Sequence, residues 1–370
     1  MEKFLKNKIR ASEIGYLTFD EFIRLALYHP EFGYYNQERQ KIGTGGDFYT
    51  SSNVSDVFGR AIGRWFIYIF RNFEINKEIL ELGAGTGRIA QSVLAVIKEL
   101  DEQLFSELTY TLVETSSYHQ MMQKETLKDY DHVLYINSLQ ELNEINGIVF
   151  SNEFFDAFPV HIIEKKNGKL FELVVSIEND TLIEKSIPLQ NLDIIAFLER
   201  QNLLLADGQR MEIPLAMEDY YRELTLKIQK GLLLTIDYGY TDEEWRDPAH
   251  RRGSIRGFQQ HKMIANIIKN PGEMDITTHI HWDRLRFCQK ELEMETVAFL
   301  PQNEFLISCG ILEEFTETAS LNPFSLEHKR NRAIRTLIDS GQISAYFKAL
   351  VQTKKIRGTA SNLFPSFTKK

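Results

Sequence analysis

The sequence predicts an α/β protein: a doubly wound, mostly parallel sheet with an N-terminal helical lobe and an antiparallel β insertion. Three observations predict it. From Ile79 onward, short apolar runs alternate with helically patterned segments, the mark of strands and helices layered on one sheet. A glycine-rich turn, "ELGAGTG" at 81–87, lies between the first such run and the first such helix, where open sheets of this kind hold ligands. Between Val160 and Gln209 the apolar period drops to two, so antiparallel hairpins interrupt the alternation.

Taken in chain order, Thr18 and Glu21 have capping-box spacing, and Phe19, Phe22, Ile23, Ala26 and Leu27 form one apolar face that Pro30 ends. This predicts a short helix. Residues 55–71 predict a second, with Val57, Phe58, Ile62, Trp65, Phe66 and Ile69 in its pattern. The run before the glycines, "TYTLVE" ending at Glu114, "HVLYI" at 132–136, "GIVFSNE" ending at Glu153 and "GLLLTIDYG" ending at Gly239 read as buried parallel strands. After the glycines, Ile89, Ala90, Val93, Leu94 and Ile97 form a helical stripe. In the insertion, Phe171, Leu173, Val175 and Ile177 share a strand face, and Asn167-Gly168 signals a type I′ hairpin turn. The segment "MEDYYRELTLKIQK" predicts a helix leading back to the last central strand, with Gly231 as its stop. The basic end, 354–370, is expected as a loosely held tail. The division expected is a lobe at 1–72, a core at 73–159 and 231–353, an insertion at 160–230 and that tail.

A chain of 370 residues exceeds the usual single domain, which suits a core with added elements. Apolar residues at 43% and charged residues at 26% are ordinary for a soluble globular protein. Forty-three basic against fifty-two acidic residues leave a net charge of -9, which argues against a general nucleic-acid-binding surface. Two cysteines, Cys288 and Cys309, make neither a disulfide framework nor a thiolate metal site, and they fit a reducing cytoplasm. The start, "MEKFLKNKIR", has no apolar centre, and no apolar run reaches the length of about eighteen residues that a span needs, so neither a signal peptide nor a membrane span is expected. The oligomeric state has no signature in the sequence.

The glycine turn narrows the ligand. A phosphate-binding loop needs Lys-Ser/Thr after its second glycine, whereas Arg88-Ile89 follows here, which argues against that reading. Gly85-Thr86-Gly87-Arg88-Ile89-Ala90 does fit G-x-G-x-x-A, with Glu114 placed to hold a ribose, so a dinucleotide stays open. Glu81, two residues before Gly83, extends the pattern to E-x-G-x-G-x-G. A carboxylate there suits an ammonium group, which S-adenosyl-L-methionine carries where dinucleotides carry a pyrophosphate. Glu114 can accept both ribose hydroxyls, since an ionised carboxylate offers acceptors only. The two acids and three glycines fit S-adenosyl-L-methionine better.

Six blocks then stand in order: "ALYHPEFGYYN", "GDFYTSSNVSDVFGRAIGRWF", "ELGAGTG", "SNEFFDAFPVH", "IDYGY" and "RRGSIRGFQQHKM...NPGEMDITTHIHW". Together, over roughly residues 16 to 310, they resemble the MidA-like methyltransferases, relatives of the mitochondrial complex I assembly-factor arginine methyltransferase. The resemblance implies a class I, Rossmann-like methyltransferase core that uses S-adenosyl-L-methionine. For the mitochondrial member it implies symmetric dimethylation of an arginine on a subunit of the respiratory NADH dehydrogenase. Carried over by position, it implies that Gly83, Ala84, Gly85 and Gly87 line the cofactor and that Glu114 holds its ribose. Gly46, Asp47, Phe48, Tyr49, Thr50 and Ser51 would close over it from the N-terminal lobe. One departure is visible: family members often read V-D-F where this chain has Ile280-His281-Trp282, so a shared role for the acid there is in doubt.

Methyl transfer is an in-line displacement, so the protein mainly positions the acceptor and controls its proton. A guanidinium, with a pKa above about 12, must be oriented by carboxylates before its nitrogen attacks. Glu153 and Asp156 are the acids expected to do this, with Asn152 orienting the acceptor or the cofactor amine. Asp47 and Asp237 rank second. A dipole-facing acid at a helix start is the competing reading for Asp156, and a strand-end turn acid for Asp237. On a strand, His279, His281 and Asp283 would share a face, but they make no complete ligand set, and no metal is expected. The basic, aromatic run "RDPAHRRGSIRGFQQHK" at 246–262 is expected as a solvated loop over the acceptor site, with Arg256 and His261 within it.

The expected protein is a cytoplasmic S-adenosyl-L-methionine-dependent methyltransferase acting on an arginine of a partner protein, such as a respiratory NADH dehydrogenase subunit. Its rivals are a small-molecule O- or N-methyltransferase with a closed apolar pocket, a non-catalytic assembly or scaffold protein that keeps the cofactor fold, and a nicotinamide-dependent oxidoreductase.

Overall fold

The computed structural model describes residues 1–38, 56–287, 292–317, 322, 324–339, 346–357 and 360–364. They fall into two compact units. One holds the described parts of Met1–Phe48, Phe155–Tyr221 and Gly239–Leu285; the other holds those of Tyr49–Phe154, Arg222–Tyr238 and Arg286–Lys370. No helix among the described residues is long and apolar enough to cross a membrane.

The second unit is built on a central sheet. Its elements that matter here are, in chain order, α1 (Val57–Asn72), β1 (Glu78–Leu82), α2 (Arg88–Leu100), β2 (Thr109–Val113), α3 (Ser117–Thr126), β3 (Val133–Ile136), β4 (Ile148–Asn152), β5 (Gly231–Tyr240, whose last two residues are counted in the first unit), β6 (Glu295–Pro301) and β7 (Phe347–Lys354). The strand order is β6-β7-β5-β4-β1-β2-β3. Strands β5, β4, β1, β2 and β3 run parallel, and β7 runs antiparallel to both β5 and β6. The continuous apolar runs read from the sequence are these parallel strands: β1, β2, β4 and β5 are largely buried, as such runs require, whereas β3, last in the order, exposes Leu134. On one face Tyr110, Leu112, Ile148, Phe150 and Leu234 pack with Phe66 of α1 and Val93 and Ile97 of α2.

Three expectations change here. Gly231 does not stop the preceding helix, which ends at Lys227; it opens β5. A Cβ on Gly231 would lie 2.1 Å from the carbonyl oxygen of Gly147, so the glycine lets two backbones meet at the sheet edge. The described part of the expected tail, 354–357 and 360–364, is held in place. Lys354 ends β7 and donates through Nζ to the Thr225 carbonyl at 3.0 Å, while Trp65 donates through Nε1 to the Leu363 carbonyl at 2.7 Å. Phe364 stacks on Trp65 with ring centroids 5.5 Å apart. Residues 365–370 lie outside the described set. Finally, α1 is part of this unit and not of an N-terminal lobe.

The N-terminal elements join the insertion instead. Strand Lys169–Glu178 has Thr181–Pro188 along one edge, while His161–Lys166 and Tyr16–Thr18 share the other. Arg210–Ile213 pairs with His161–Lys166 to complete this antiparallel sheet. The Asn167-Gly168 turn has φ of 51° and 74°, the two left-handed residues a type I′ turn requires. Helix Phe19–Tyr28 starts with the expected capping box, Thr18 and Glu21 satisfying each other's backbone N–H, and its apolar face packs on Leu173, Val175 and Ile162. The basic run at 246–262 is not a plain loop. Most of it is ordered as a 3-10 turn at Pro248–His250 and a hairpin of Arg256–Gln259 with Lys262–Ile264, to which Asp275–Thr277 adds a strand.

Candidate functional site

In the second unit, chain order reverses between β1 and β4: β2 and β3 lie to one side, β5 to the other. Such a reversal leaves a crevice outside the carboxyl ends of the two strands, the place where open α/β sheets bind ligands. The glycine turn leaves β1, Glu114 follows β2, and Asn152, Glu153 and Phe154 close β4. Three segments far apart in sequence therefore meet at one sheet edge.

The glycine turn is left-handed at each of its three glycines. Gly83, Gly85 and Gly87 have φ of 62°, 50° and 79°, conformations that cost other residues roughly 1–2 kcal/mol each. Gly83 has a second constraint, since a Cβ there would lie 2.5 Å from the Phe154 ring. The Gly83 N–H donates to the Val113 carbonyl at 2.9 Å, and Gly87 caps α2. The turn thus points the positive end of α2 at the crevice. Gln123 of α3, fully buried, donates through Nε2 to the Gly85 carbonyl at 2.9 Å. Its role was not legible in the sequence; a glutamine at 123 has no spacing relation to the turn it braces.

The acids divide by environment. Glu81 is only 2% exposed and accepts from the Tyr110 hydroxyl at 2.6 Å. Burial raises its pKa to about 8, against the lowering effect of that hydrogen bond. It is therefore mostly a neutral carboxylic acid at pH 7, and pairing with an ammonium requires it to lose a proton. Glu114 is buried at the end of β2, where Oε1 accepts from the Ser116 N–H at 2.9 Å and Oε2 lies 3.6 Å from His119 Nδ1. His119 is a further residue the sequence reading passed over.

At the end of β4 the backbone is strained. Glu153 has φ of 51°, a left-handed conformation uncommon in a non-glycine residue and concentrated at functional sites. Its N–H donates to the Ile236 carbonyl at 3.0 Å. Asp237, read as a turn acid, is instead fully buried inside β5, accepting the Phe154 N–H at 3.2 Å and the Tyr238 N–H at 2.9 Å. It braces the strained turn. Asn152 Nδ2 donates to Glu153 Oε1 at 3.1 Å, and Asn152 Oδ1 is buried with no partner.

Glu81, Gly83, Ala84, Gly85, Gly87, Glu114, Asn152 and Glu153 thus all belong to one unit and, Glu81 apart, to its sheet edge. Asp156 belongs to the other unit, in a 3-10 turn at Phe155–Ala157 and not at the start of an α-helix. Its carbonyl accepts the Thr278 N–H, and Tyr35 donates to Asp275 Oδ1 at 2.6 Å. Burial first, then Asp275, Tyr28 and Asp156, push the Tyr35 hydroxyl well above its ordinary range. The metal-like face does not form as drawn, because the strand ends at His281 and a helix begins at Trp282. Asp283 accepts the Asp242 N–H at 2.7 Å, and His281 stacks on Trp245. Burial, with Arg256 and Arg284 respectively, holds His279 and His281 neutral at pKa values of about 3. Arg256 donates to the His279 ring, and His261 sits in the left-handed hairpin turn after Gln259. Gly46, Asp47, Phe48, Tyr49, Thr50, Ser51 and Cys288 lie outside the described residues. Cys309 is buried in the core.

Comparison with known proteins gives a consistent answer. The family described as "Putative S-adenosyl-L-methionine-dependent methyltransferase" matches residues 61–300. The zebrafish (Danio rerio) "Protein arginine methyltransferase NDUFAF7, mitochondrial" is 25% identical, over 94% of this chain and 85% of its own. The Drosophila melanogaster homologue of that protein is also 25% identical, over 77% of this chain and 69% of its own. Among solved structures, a Burkholderia thailandensis protein described as a COG1565 superfamily member and likely methyl transferase, bound to S-adenosyl-homocysteine, superposes with a TM-score of 0.86. It is 23% identical and covers 100% of this chain and 95% of its own, which establishes a shared fold.

Proposed function

The chain belongs to this family of S-adenosyl-L-methionine-dependent methyltransferases, and from that premise we propose that it methylates an arginine side chain of a partner protein. The dinucleotide and scaffold readings are set aside by the family. The arginine acceptor is supported by the names of relatives that match most of the chain, and a respiratory NADH dehydrogenase subunit remains the acceptor proposed. A reducing cytoplasm is likewise part of the reading.

The observation that supports the cofactor half of the reading is the grouping of three left-handed glycines, Glu114 and Asn152 at the switch of strand order. These residues fit the cofactor. The glycines give close backbone approach, which a side chain at Gly83 would close off against Phe154. Glu114 is an acceptor-only group for ribose hydroxyls. The buried, unpartnered Asn152 Oδ1 needs a donor, which an amine supplies. When bound, the cofactor supplies an electrophilic methyl group on a sulfonium.

The rest of the chemistry falls to the chain's own groups. An attacking guanidinium nitrogen gains a methyl and must release one proton for charge to balance. Glu153, held by the strained turn that Asp237 braces, orients that nitrogen and accepts the proton. Asn152 fixes the Glu153 carboxylate through its amide. The test is mass spectrometry of the NADH dehydrogenase subunits from cells with and without this chain. A methylated arginine present only with the chain supports the reading; identical arginine modification in both refutes it.

A further inference from the structure

Within the first unit, Arg256 is a half-buried guanidinium with no carboxylate within ion-pair distance among the described residues, and its Nε is buried without a partner. Arginines in such positions ordinarily have an anion beside them, because an uncompensated charge taken from water is costly. The nearby groups do not supply one. Arg256 spends Nη2 on the neutral His279 ring at 2.6 Å. The Glu212 carboxylate is engaged by the backbone N–H groups of Ser254 and Ile255 at 2.8 and 3.0 Å. Directly across the strand pair from Arg256 stands Thr277, 4% exposed, whose Oγ1 is also buried without a partner. Two unmet donors, one of them charged, therefore sit on facing residues of neighbouring strands. A wall for such a site exists: Tyr240 stacks between His279 and His250, with ring centroids 4.3 and 3.8 Å away.

We propose that Arg256 and Thr277 form an oxyanion site that takes a carboxylate, either of a free small acid or of an acidic side chain on a polypeptide. Guanidinium and hydroxyl N–H and O–H donors are the groups that recognise a carboxylate, and charge-assisted bonds of this kind are about twice as strong as neutral ones. The site is independent of the methyl-acceptor assignment, since it lies on residues to which the transfer chemistry gives no part.

The test uses the full chain. Binding of sodium acetate is followed by the Arg256 Nε–H resonance, identified by its absence in Arg256→Gln, with sodium chloride holding ionic strength constant. A short acetylated peptide containing one glutamate, and the same peptide with glutamine, form the second arm. The expected result is a saturable acetate-dependent shift that chloride does not produce, with binding about tenfold weaker in Thr277→Val. In a thermal melt, acetate should raise the midpoint of the wild type and not that of Arg256→Gln. Tighter binding of the glutamate peptide than of acetate, lost with glutamine, assigns the site to polypeptide. Equal affinity of acetate and peptide assigns it to a free acid. Absence of any Arg256-dependent carboxylate binding, together with a lower melting midpoint for Arg256→Gln in chloride alone, overturns the proposal and leaves Arg256 a structural partner of His279.

Discussion

Replacing Glu81 with glutamine should change how stability depends on pH. Glutamine can still accept from the Tyr110 hydroxyl, and it cannot ionise, so the substitution isolates the charge. The folded carboxyl titrates near pH 8, against an ordinary value of 4.5. The unfolded chain has therefore lost the proton throughout the window between these values while the folded chain keeps it. Stability must fall as pH rises through that window and level off above it. Each pH step there removes about 1.4 kcal/mol, so from pH 6 to pH 9 the wild type should lose about 3 kcal/mol more than Glu81→Gln. Glu81 is nearly inaccessible to solvent, so screening by water and salt is slight. Urea unfolding of both proteins at pH 6, 7, 8 and 9 reads the difference directly, and other titrating groups cancel between them. Parallel pH profiles would show that Glu81 titrates as an ordinary surface acid and would refute the reasoning. The same protonation has a binding consequence. If Glu81 pairs with the cofactor's ammonium, association at pH 7 should release about 0.9 proton, seen as heats that vary with the ionisation enthalpy of the buffer.

Other substitutions follow from the same sheet edge. Gly83→Ala combines a left-handed backbone with a side-chain overlap on Phe154; it should cost about 2–4 kcal/mol in urea unfolding and weaken S-adenosyl-L-methionine binding. Glu114→Ala should lower affinity for S-adenosyl ligands about tenfold or more, and undiminished affinity would remove Glu114 from the ribose role. Glu153→Gln should leave cofactor binding intact and slow methyl transfer about a hundredfold; an unchanged rate excludes Glu153 as the essential acid. Gln123→Leu leaves the Gly85 carbonyl without its donor and should cost about 1–3 kcal/mol, with equal stability of variant and wild type arguing against its bracing role.

The parts of this fold that were legible in the sequence are those with local causes. The capping box at Thr18 and Glu21, the Asn167-Gly168 turn and the runs at 109–113 and 148–152 are set by neighbours a few residues away, and each appears where its residues predict. What stayed hidden depends on long-range pairing. Gly231 resembles a helix stop until Gly147 is seen against it. Tyr16–Thr18 carries no mark that it will join a strand more than a hundred residues later. The basic end looks like a tail because Leu363 and Phe364 gain their place from distant residues such as Trp65 and Phe305. The gathering of Gly83, Glu114, Asn152 and Glu153 at one sheet edge was legible from motif spacing and strand ends. Tyr110, Gln123 and the bracing role of Asp237 were not, since each acts on a partner that only the folded sheet brings near.

The measurement that bears most directly on the assigned activity is calorimetric titration of the purified chain, stripped of any ligand carried from expression, with S-adenosyl-L-methionine, S-adenosylhomocysteine and NADH. Saturable binding of both adenosyl ligands and none of NADH is the expected result, with Gly83→Ala weakening the first two. Binding of NADH, or of none of the three, would contradict the assignment of the glycine turn, Glu114 and Asn152 as the cofactor site.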